Sequence, residues 1–406
     1  MTSLWPPHVG GAENYLYQIY KANQDIVLHV LAPSCDMDTQ FDRQQPWETI
    51  RIPREQMSAY WNGRRNRYVL FLKLKQIVQK FQIQEIHAGS TLPDGINAWM
   101  LHQTLGLPYL VYFYGLDFLS QLGNPWGKSV VLRVFGGAEK LIGCSTYTCQ
   151  QAVVLGIDPR KIHTIFPGVN QSQFAKPSPS VSKEYRTDLG IAQGQKVIIT
   201  VARLVARKGH DKVIEAIPKL LDKHSNLLYI VIGDGPNRSH LEQLIEKRQL
   251  TQHVTFMGKV SDSDLPKYYH SADIFVMPNR DIQGDVEGFG IVFLEAGAAG
   301  LPTIGGKSGG VIDAIADNVT GFLVDPENIN EIACTMDQIL SNPDIGYQLG
   351  QNASQHVKDN FAWEKTAHQA NDIIQAMPQK KRALSWSTPN HVSKWFKIFK
   401  TMTQAT

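Results

Sequence analysis

Between about residues 196 and 345, the sequence alternates short, continuous apolar runs with stretches of helical periodicity. Uninterrupted apolar strands separated by helices predict an α/β fold, with a parallel sheet that helices cover on both faces. The runs that we expect to form strands are 196–202, 227–232, 254–257, 274–277, 302–304 and 322–324. Ligands of such sheets bind at the carboxyl ends of the strands, so the loops after the strands are the candidate sites.

The first 168 residues show the same alternation less regularly, with expected strands at 26–31, 85–87, 109–113 and 140–143. A length of 406 residues fits two domains. Segment 174–183 is rich in Pro and Ser and is expected to be a loop near the domain boundary, with the hinge at 167–170. The predicted parts are a first domain at 1–168, a second domain at 169–360, a helix within 361–377 and a basic aromatic tail at 378–406.

The start of the chain does not match this pattern. Only residues 1–4 precede the Pro6–Pro7 turn, whereas a sheet of this type should open with a strand. Either that strand is a stub or the true start lies upstream, and we favour the second explanation.

Composition excludes several classes of protein. Lys and Arg total 40 and Asp and Glu total 37, a balance too even for a protein built around nucleic-acid phosphates. No apolar run approaches the ~18 residues that span a bilayer, and no signal segment opens the chain. The four cysteines show no zinc-ligand spacing. These features predict a soluble, cytoplasmic protein with reduced cysteines.

Two glutamates with seven residues between them mark the most informative motif, Glu287 to Glu295. Gly288 and Gly290 lie at a predicted helix entry, where backbone can approach a ligand and unpaired amides point at an anion. Glu295, about one turn into that helix, could accept hydrogen bonds from paired hydroxyls such as those of a ribose. Glu287, in the loop, could do the same for a sugar.

Three further loops follow predicted strands. Arg203 and Lys208 come after the strand at 196–202, where two cations suit a diphosphate or form a solvated basic loop. The Gly233-Asp-Gly-Pro236 sequence indicates a tight turn, and it lacks the third glycine of a dinucleotide fingerprint. The glycines between 305 and 310 form either a phosphate cradle or a tightly turning loop.

Taken together, these motifs resemble those of the retaining GT-B glycosyltransferases of glycosyltransferase family 4 (group 1), over nearly the whole chain. The run from Asp285 to Glu295 is most similar to that of bacterial phosphatidylinositol mannosyltransferases. The other segments that carry the resemblance are 10–13, 167–170, 233–236, 271–278 and 321–324, together with Arg203 and Lys208. The resemblance implies two Rossmann-like domains that face a cleft, with a nucleotide-diphosphate sugar held mainly by the second, and a carboxy-terminal helix that returns toward the first.

The resemblance also implies roles for individual residues. Arg203 and Lys208 would neutralise the leaving diphosphate, with Glu287 as the third catalytic residue and a ligand of the donor sugar. Glu295 would hold the ribose. The remaining donor-binding positions would be Gly10, Gly11, Gly233, Gly258, Gly288, Phe289 and Gly290. Retention would need no protein nucleophile, and neither a metal nor another cofactor is implied, since no Asp-x-Asp motif stands in a donor-binding context.

The sequence departs from the family pattern where many members carry His-Gly before an acidic residue. This chain has Tyr114-Gly-Leu-Asp117 there. Tyr114 and Asp117 are candidate acceptor or sugar contacts, although a tyrosine cannot be cationic near neutrality. Asn170 and Ala202 replace a usual Asp and Gly.

Two basic stretches indicate where the acceptor resides. Between Glu55 and Glu85, and again after Asp372, cations alternate with aromatic and aliphatic residues and no acid occurs. Such stretches fit adsorption to an anionic membrane, although a solvated helix face and a frayed tail would look the same. We therefore predict a peripheral position on the inner face of the plasma membrane.

The leading hypothesis is a hexosyltransferase that uses GDP-mannose or a UDP-hexose and a lipid-linked or glycan acceptor. A GT-B nucleotide-sugar 2-epimerase shares the fold, but it needs carboxylates poised for proton abstraction, which the spacing of the motifs argues against. A non-catalytic, membrane-associated GT-B module is the third hypothesis, and it fits Tyr114 and the short amino terminus.

Overall fold

The computed structural model describes residues 1–8, 10–23, 26–57 and 64–378. The described chain divides into two compact units, one of Met1–Phe166 with the residues from Thr366 onward, and one of Pro167–Lys365. The predicted domain limits were 168/169 and 360/361, and the units change at 166/167 and 365/366. The predicted tail, apart from Pro378, lies outside the described residues.

The first unit contains short parallel strands with helices between them. Its strands are β1 (His29–Pro33), β2 (Glu48–Ile52), β3 (Ile86–Ala88), β4 (Tyr109–Phe113), β5 (Lys140–Gly143) and β6 (Ile162–Thr164). Its helices are α1 (Gly11–Ala22), α2 (Asp38–Asp42), α3 (Arg54–Met57), α4 (Arg64–Lys80), α5 (Ile96–Leu105), α6 (Leu116–Leu119), α7 (Pro125–Gly137) and α8 (Thr146–Val154). The strands pair in the orders β1-β2 and β3-β4-β5-β6.

The first two residues lie between these two sets of strands. The amide of Thr2 donates to the carbonyl oxygen of Leu31 in β1 at 2.9 Å, and the amide of Gly89, just after β3, donates to the carbonyl oxygen of Met1 at 2.9 Å. Residues 1 and 2 thus hydrogen-bond to both sets of strands, at the place where the sequence pattern expected a first strand.

The second unit is a six-stranded parallel sheet. Its strands are β7 (Val197–Val201), β8 (Leu228–Ile232), β9 (Val254–Gly258), β10 (Ile274–Met277), β11 (Thr303–Gly306) and β12 (Gly321–Val324). Its helices are α9 (Gln171–Phe174), α10 (Pro179–Asp188), α11 (His210–Ala216), α12 (Arg238–Lys247), α13 (Leu265–Tyr269), α14 (Ile291–Ala298), α15 (Val311–Ala314), α16 (Ile329–Ser341) and α17 (Pro343–Asn360). The last described helix, α18 (Trp363–Gln375), begins in this unit and continues into the first.

All six strands of this sheet lie close to their predicted positions. The central strands are covered by helices on both faces and are therefore mostly apolar. Ile198, Val231, Val276 and Ile304 are 0% exposed, and each belongs to the core that the helices close over the sheet. The prediction of a doubly wound parallel sheet is therefore confirmed for this unit.

Two local predictions were wrong. The helix expected over 211–224 ends at Ala216 and is followed by one turn of 3₁₀ helix, Ile217–Lys219, because Pro218 has no amide hydrogen to donate. Segment 174–183, expected to be a loop, contains the first half of α10, where Pro179 occupies the first helical position. Proline is favoured there, since the amide it lacks has no helical partner in any case.

The strand order β12-β11-β10-β7-β8-β9 brings β7 and β10 together at the centre of the sheet. The chain leaves β7 toward one edge of the sheet and leaves β10 toward the other, so a crevice opens at the carboxyl ends of these two strands. None of the described helices is both long enough and apolar enough to cross a membrane.

Candidate active site

The loop after β7 packs directly against the loop after β10. Gly209 has φ +74°, and a Cβ atom at this position would lie 2.2 Å from the carbonyl oxygen of Pro278. The amide of Arg280 donates to the carbonyl oxygen of Arg207 at 2.9 Å. Only glycine permits this approach and this conformation, so Gly209 fixes the distance between the two loops.

The Gly233-Asp-Gly-Pro236 turn supports the beginning of the loop after β7. Gly233 has φ +129°, and a Cβ atom there would lie 2.0 Å from the carbonyl oxygen of Ala202. The amide of Leu204 donates to the carbonyl oxygen of Asp234 at 3.1 Å. The amide of Gly233 donates to the carbonyl oxygen of Gly258 at 2.8 Å. Gly233 therefore lies beside the segment that carries Arg203, and Gly258 lies beside Gly233.

A charge cluster joins the two central loops. Oε2 of Glu287 accepts hydrogen bonds from Nη1 of Arg207 at 2.6 Å and from Nζ of Lys208. Nε of Arg207 lies 3.0 Å from Oδ1 of Asp285. The side chains of Lys208 and Glu287 are 11% and 12% exposed, so these charges are largely removed from water.

Burial and pairing act in opposite directions on the pKa values of this cluster. Burial works to raise the pKa of Glu287, but Lys208 and Arg207 outweigh it together and lower the pKa below its ordinary value. Burial lowers the pKa of Lys208, and Glu287 opposes that effect. The pairing stabilises both ionised forms, since an unpaired buried ion would be strongly unfavourable.

The glycine-rich loop after β11 holds the main chain of Glu287. The amide of Gly310 donates to the carbonyl oxygen of Glu287 at 2.9 Å. Asn279 is fully buried, and its side chain accepts from the amide of Gly306 at 3.2 Å and donates to the carbonyl oxygen of Ser308 at 3.1 Å. The structure thus gives this loop a bracing role beside the charge cluster.

Glu295 lies one turn into α14, which begins after Gly290 at φ +90°. Its Oε2 accepts a hydrogen bond from the hydroxyl of Tyr269 at 2.8 Å. Burial raises the pKa of Glu295 to about 7, against the lowering effect of the Tyr269 hydroxyl. The side chain of Phe289 is buried and packs against Phe361, with the ring centroids 5.8 Å apart.

Arg203 differs from the other cations of this edge. Its side chain is exposed, and within the described residues it makes neither an ion pair nor a side-chain hydrogen bond. A guanidinium in this state retains all its donors for an anion.

Gly288 lies between Glu287 and Phe289 in the second unit, and four predicted residues, Gly10, Gly11, Tyr114 and Asp117, lie in the first unit. Gly10 is the residue before α1, with an extended backbone, and Gly11 opens that helix. The ring of Tyr114 packs against that of Tyr15 at 5.9 Å, and its buried hydroxyl has no hydrogen-bond partner among the described residues. Burial raises the pKa of Tyr114, so the hydroxyl stays a neutral donor.

Asp117 braces the loop after β4. Its Oδ2 accepts from the amide and the hydroxyl of Thr91 at 2.9 and 2.7 Å. Its Oδ1 accepts from the amides of Tyr114 and Gly115 at 2.9 and 3.1 Å. These four hydrogen bonds orient Tyr114, while contact of Asp117 itself with a sugar or acceptor stays a prediction.

Sequence reasoning missed four residues of the site: Arg207, Asn279, Asp285 and Tyr269. Arg207 lies inside the segment from Arg203 to Lys208, and its position directly before Lys208 was the available signal. Asn279 and Asp285 follow β10, whose carboxyl end was already a candidate site. No sequence signal connects Tyr269 to Glu295.

The carboxyl edge of the second sheet therefore combines an unpaired guanidinium, a buried ammonium and two carboxylates. The cations of this set can bind an anion, and the carboxylates can accept hydrogen bonds from a neighbouring group that carries several hydroxyls.

Comparisons with known proteins show the family to which the chain belongs. Residues 9–173 match the model of Glycosyltransferase Family 4, and residues 181–356 match that of Glycosyl transferases group 1. A GDP-mannose-dependent alpha-(1-6)-phosphatidylinositol monomannoside mannosyltransferase of Mycobacterium tuberculosis is 26% identical over 92% of this chain and 97% of the relative. An uncharacterized glycosyltransferase of Methanocaldococcus jannaschii is 33% identical over 73% of this chain and 75% of the relative.

Among solved structures, the fold matches that of Anabaena HepE in complex with UDP, with a TM-score of 0.78 at 20% identity over 92% of this chain and 98% of that one. The expected GT-B architecture of two parallel-sheet α/β domains is confirmed. By its domain matches, its relatives and its fold, the chain belongs to the GT-B glycosyltransferases, with a family 4 domain followed by a group 1 domain.

Proposed function

We propose that this glycosyltransferase is a retaining, metal-independent hexosyltransferase that moves mannose from GDP-mannose to a lipid-linked acceptor. The observation that carries the proposal is the cluster of Lys208, Arg207 and Glu287 at the carboxyl ends of β7 and β10. Arg203, in the same loop as Lys208, has no ion-pair partner among the described residues. GDP-mannose is preferred to a UDP-hexose because the mannosyltransferase relative is GDP-mannose-dependent and aligns over 97% of its length. The lipid-linked acceptor follows from the same relative, which acts on a phosphatidylinositol mannoside.

In the proposed reaction, the bond between the sugar C1 and the phosphate oxygen breaks, and the nucleoside diphosphate leaves with the electron pair. The acceptor oxygen bonds to C1 from the same face, and the acceptor proton passes to the departing phosphate oxygen. Arg203 and Lys208 stabilise the negative charge that develops on the leaving group. Because these cations supply that charge, the proposal assigns no step to a metal.

The two glutamates position the donor. Glu295 accepts hydrogen bonds from the ribose hydroxyls, and Glu287 accepts them from hydroxyls of the sugar. Tyr114 supplies a neutral hydroxyl donor in the first unit, where many relatives of this type carry a histidine.

The second part of the proposal places the enzyme on an anionic membrane surface through α4. The inner face of this helix consists of buried residues, Leu70, Phe71 and Leu74. On its outer side, Val69 is 55% exposed and Leu72 is 40% exposed. A solvated helix face is normally polar. Apolar residues beside Lys73, Lys75 and Lys80 fit insertion at an anionic surface, to which each cation adds up to ~1 kcal/mol.

A donor screen tests the transfer reaction. Purified protein is incubated with GDP-mannose, UDP-glucose or UDP-galactose, with and without a phosphatidylinositol mannoside acceptor, and nucleotide release is measured. We expect acceptor-dependent release from GDP-mannose that persists in EDTA and is lost in Lys208→Ala. Lys223→Ala, which removes an exposed lysine paired with Asp337, is the matched control and retains activity.

Release from no donor would contradict the transfer proposal and favour a non-catalytic module. Interconversion of donor sugars without acceptor would favour the epimerase, and a strict divalent-cation requirement would contradict metal independence.

The pH dependence of nucleotide binding tests the role of Glu295. With a pKa of about 7, this carboxyl is protonated at lower pH and then loses acceptor capacity for the ribose hydroxyls. The affinity of the wild type for GDP, measured by calorimetry, should therefore rise as the pH passes through about 7. The Glu295→Gln variant has no carboxyl to ionise at this position, so its affinity should lack this part of the rise. From the ~1–3 kcal/mol of a charged hydrogen bond, we expect Glu295→Gln to bind about tenfold more weakly at pH 8 and nearly equally at pH 5.5.

Ionisation of the GDP phosphates is common to both proteins and cancels in the ratio of their dissociation constants. A ratio that does not change with pH would remove Glu295 from the ribose site.

Vesicle sedimentation tests the membrane surface. The variant Val69→Ser/Leu72→Ser should bind phosphatidylglycerol-containing vesicles severalfold more weakly than the wild type, since it loses the apolar part of the surface. Val154→Ser is the control, because Val154 is 70% exposed elsewhere in the same unit, on α8. Equal sedimentation of the wild type and the double variant would contradict the assignment to α4.

A further inference from the structure

Two cations of the candidate site, Arg207 and Lys208, already have a counter-ion. Arg207 and Lys208 both donate to the same oxygen of Glu287, and Arg207 also lies 3.0 Å from Asp285. Two positive and two negative groups make a locally neutral cluster. A diphosphate that approaches Lys208 must therefore compete with Glu287 for it.

The two cations are not equally able to leave Glu287. Arg207 is held by two carboxylates, and its carbonyl oxygen is held by the amide of Arg280. Arg280 is itself fixed to Asp211 by a 2.9 Å ion pair. Lys208 has Glu287 as its only ion-pair partner among the described residues, and one of its three ammonium donors meets that carboxylate. Its stem is flexible, whereas the guanidinium of Arg207 is a planar group fitted to its partners.

If both cations left Glu287, a carboxylate that is only 12% exposed would stay behind without a counter-ion, which is strongly unfavourable. If Lys208 alone turned toward the diphosphate, Arg207 would still neutralise Glu287 and keep it in place. The carboxylate would then have acceptor capacity available for hydroxyl groups.

We infer that Arg207 is a positioning residue that holds Glu287 while Lys208 passes from this carboxylate to the diphosphate. Glu287 is accordingly the counter-ion of Lys208 before the diphosphate binds and an acceptor for sugar hydroxyls once it is bound. This inference rests on the proposed function, in that it assumes a nucleoside diphosphate at Lys208.

A double-mutant cycle between Arg207 and Glu287 tests the exchange. GDP is titrated calorimetrically into the wild type, Glu287→Gln, Arg207→Gln and the double variant. Glu287→Gln removes the competing charge, so GDP should bind about tenfold more tightly while mannose transfer is lost. Arg207→Gln should weaken GDP binding about tenfold in the wild-type background and have little effect in the Glu287→Gln background.

Two control variants are measured in the same two backgrounds. Arg203→Gln, at the proposed direct phosphate contact, should weaken GDP binding in both backgrounds. Lys223→Gln makes the same change of charge at an exposed pair and should leave binding unchanged in both. Arg207→Lys keeps the charge, so it should recover most of the affinity that Arg207→Gln loses, a comparison that does not depend on Glu287→Gln folding.

The outcomes separate this inference from the proposed function. If the wild type binds neither GDP nor UDP, the proposed function fails and the inference fails with it. If the wild type binds GDP but Glu287→Gln binds it no more tightly, the exchange is wrong and the proposed function stands. If Arg207→Gln weakens GDP binding equally in both backgrounds, Arg207 is a direct phosphate ligand. If Arg207→Lys recovers none of the lost affinity for GDP, the positive charge at this position does not act by neutralising Glu287.

Discussion

A buried charge cluster in which two cations share one carboxylate determines the geometry at the centre of the second unit. Arg207 and Lys208 come from the loop after β7, and Glu287 comes from the loop after β10. Because buried ions must be paired, this contact ties together the two loops that flank the crevice of the sheet. Gly209 makes the contact possible, since a side chain at that position would collide with the backbone of Pro278.

The same constraint connects the fold to the proposed chemistry. A doubly wound sheet opens a crevice where its strand order reverses, and here the reversal lies between β7 and β10. The charges that stabilise the two loops lie at that crevice, so the groups that hold the site together are those proposed to handle the leaving group and the sugar. Buried polar braces such as Asn279 fix the surrounding backbone before any ligand arrives.

The sheet of the second unit could be predicted from sequence because its central strands are buried on both faces and are mostly apolar. β10 has no polar residue, and β7 has one, Thr200. Lys208 was a candidate because it follows a predicted strand, and Glu287 was a candidate because it lies just before a glycine-containing helix entry. Their mutual ion pair did not, because no pattern tells which of Arg203, Arg207 and Lys208 turns inward. Pro218 was a sequence signal for the end of α11, but the helix was predicted to continue to residue 224 and ends at Ala216.

In the first unit, Tyr114 and Asp117 were predicted as a pair, and the structure distinguishes them. Asp117 accepts four hydrogen bonds from its own loop and from Thr91, whereas the hydroxyl of Tyr114 has no partner among the described residues. Sequence gives the two residue types but not the number of hydrogen bonds each one makes. That number depends on Thr91, which lies on another connection of the sheet.

The central claim is that the carboxyl ends of β7 and β10 hold a nucleoside diphosphate, and a crystal structure of the full chain with GDP tests it most directly. The account predicts that a phosphate oxygen lies within hydrogen-bond distance of Nζ of Lys208, that Arg207 still contacts Glu287, and that the ribose hydroxyls meet Glu295. A nucleotide bound away from this edge of the sheet, or bound with Lys208 and Glu287 uninvolved, would contradict it.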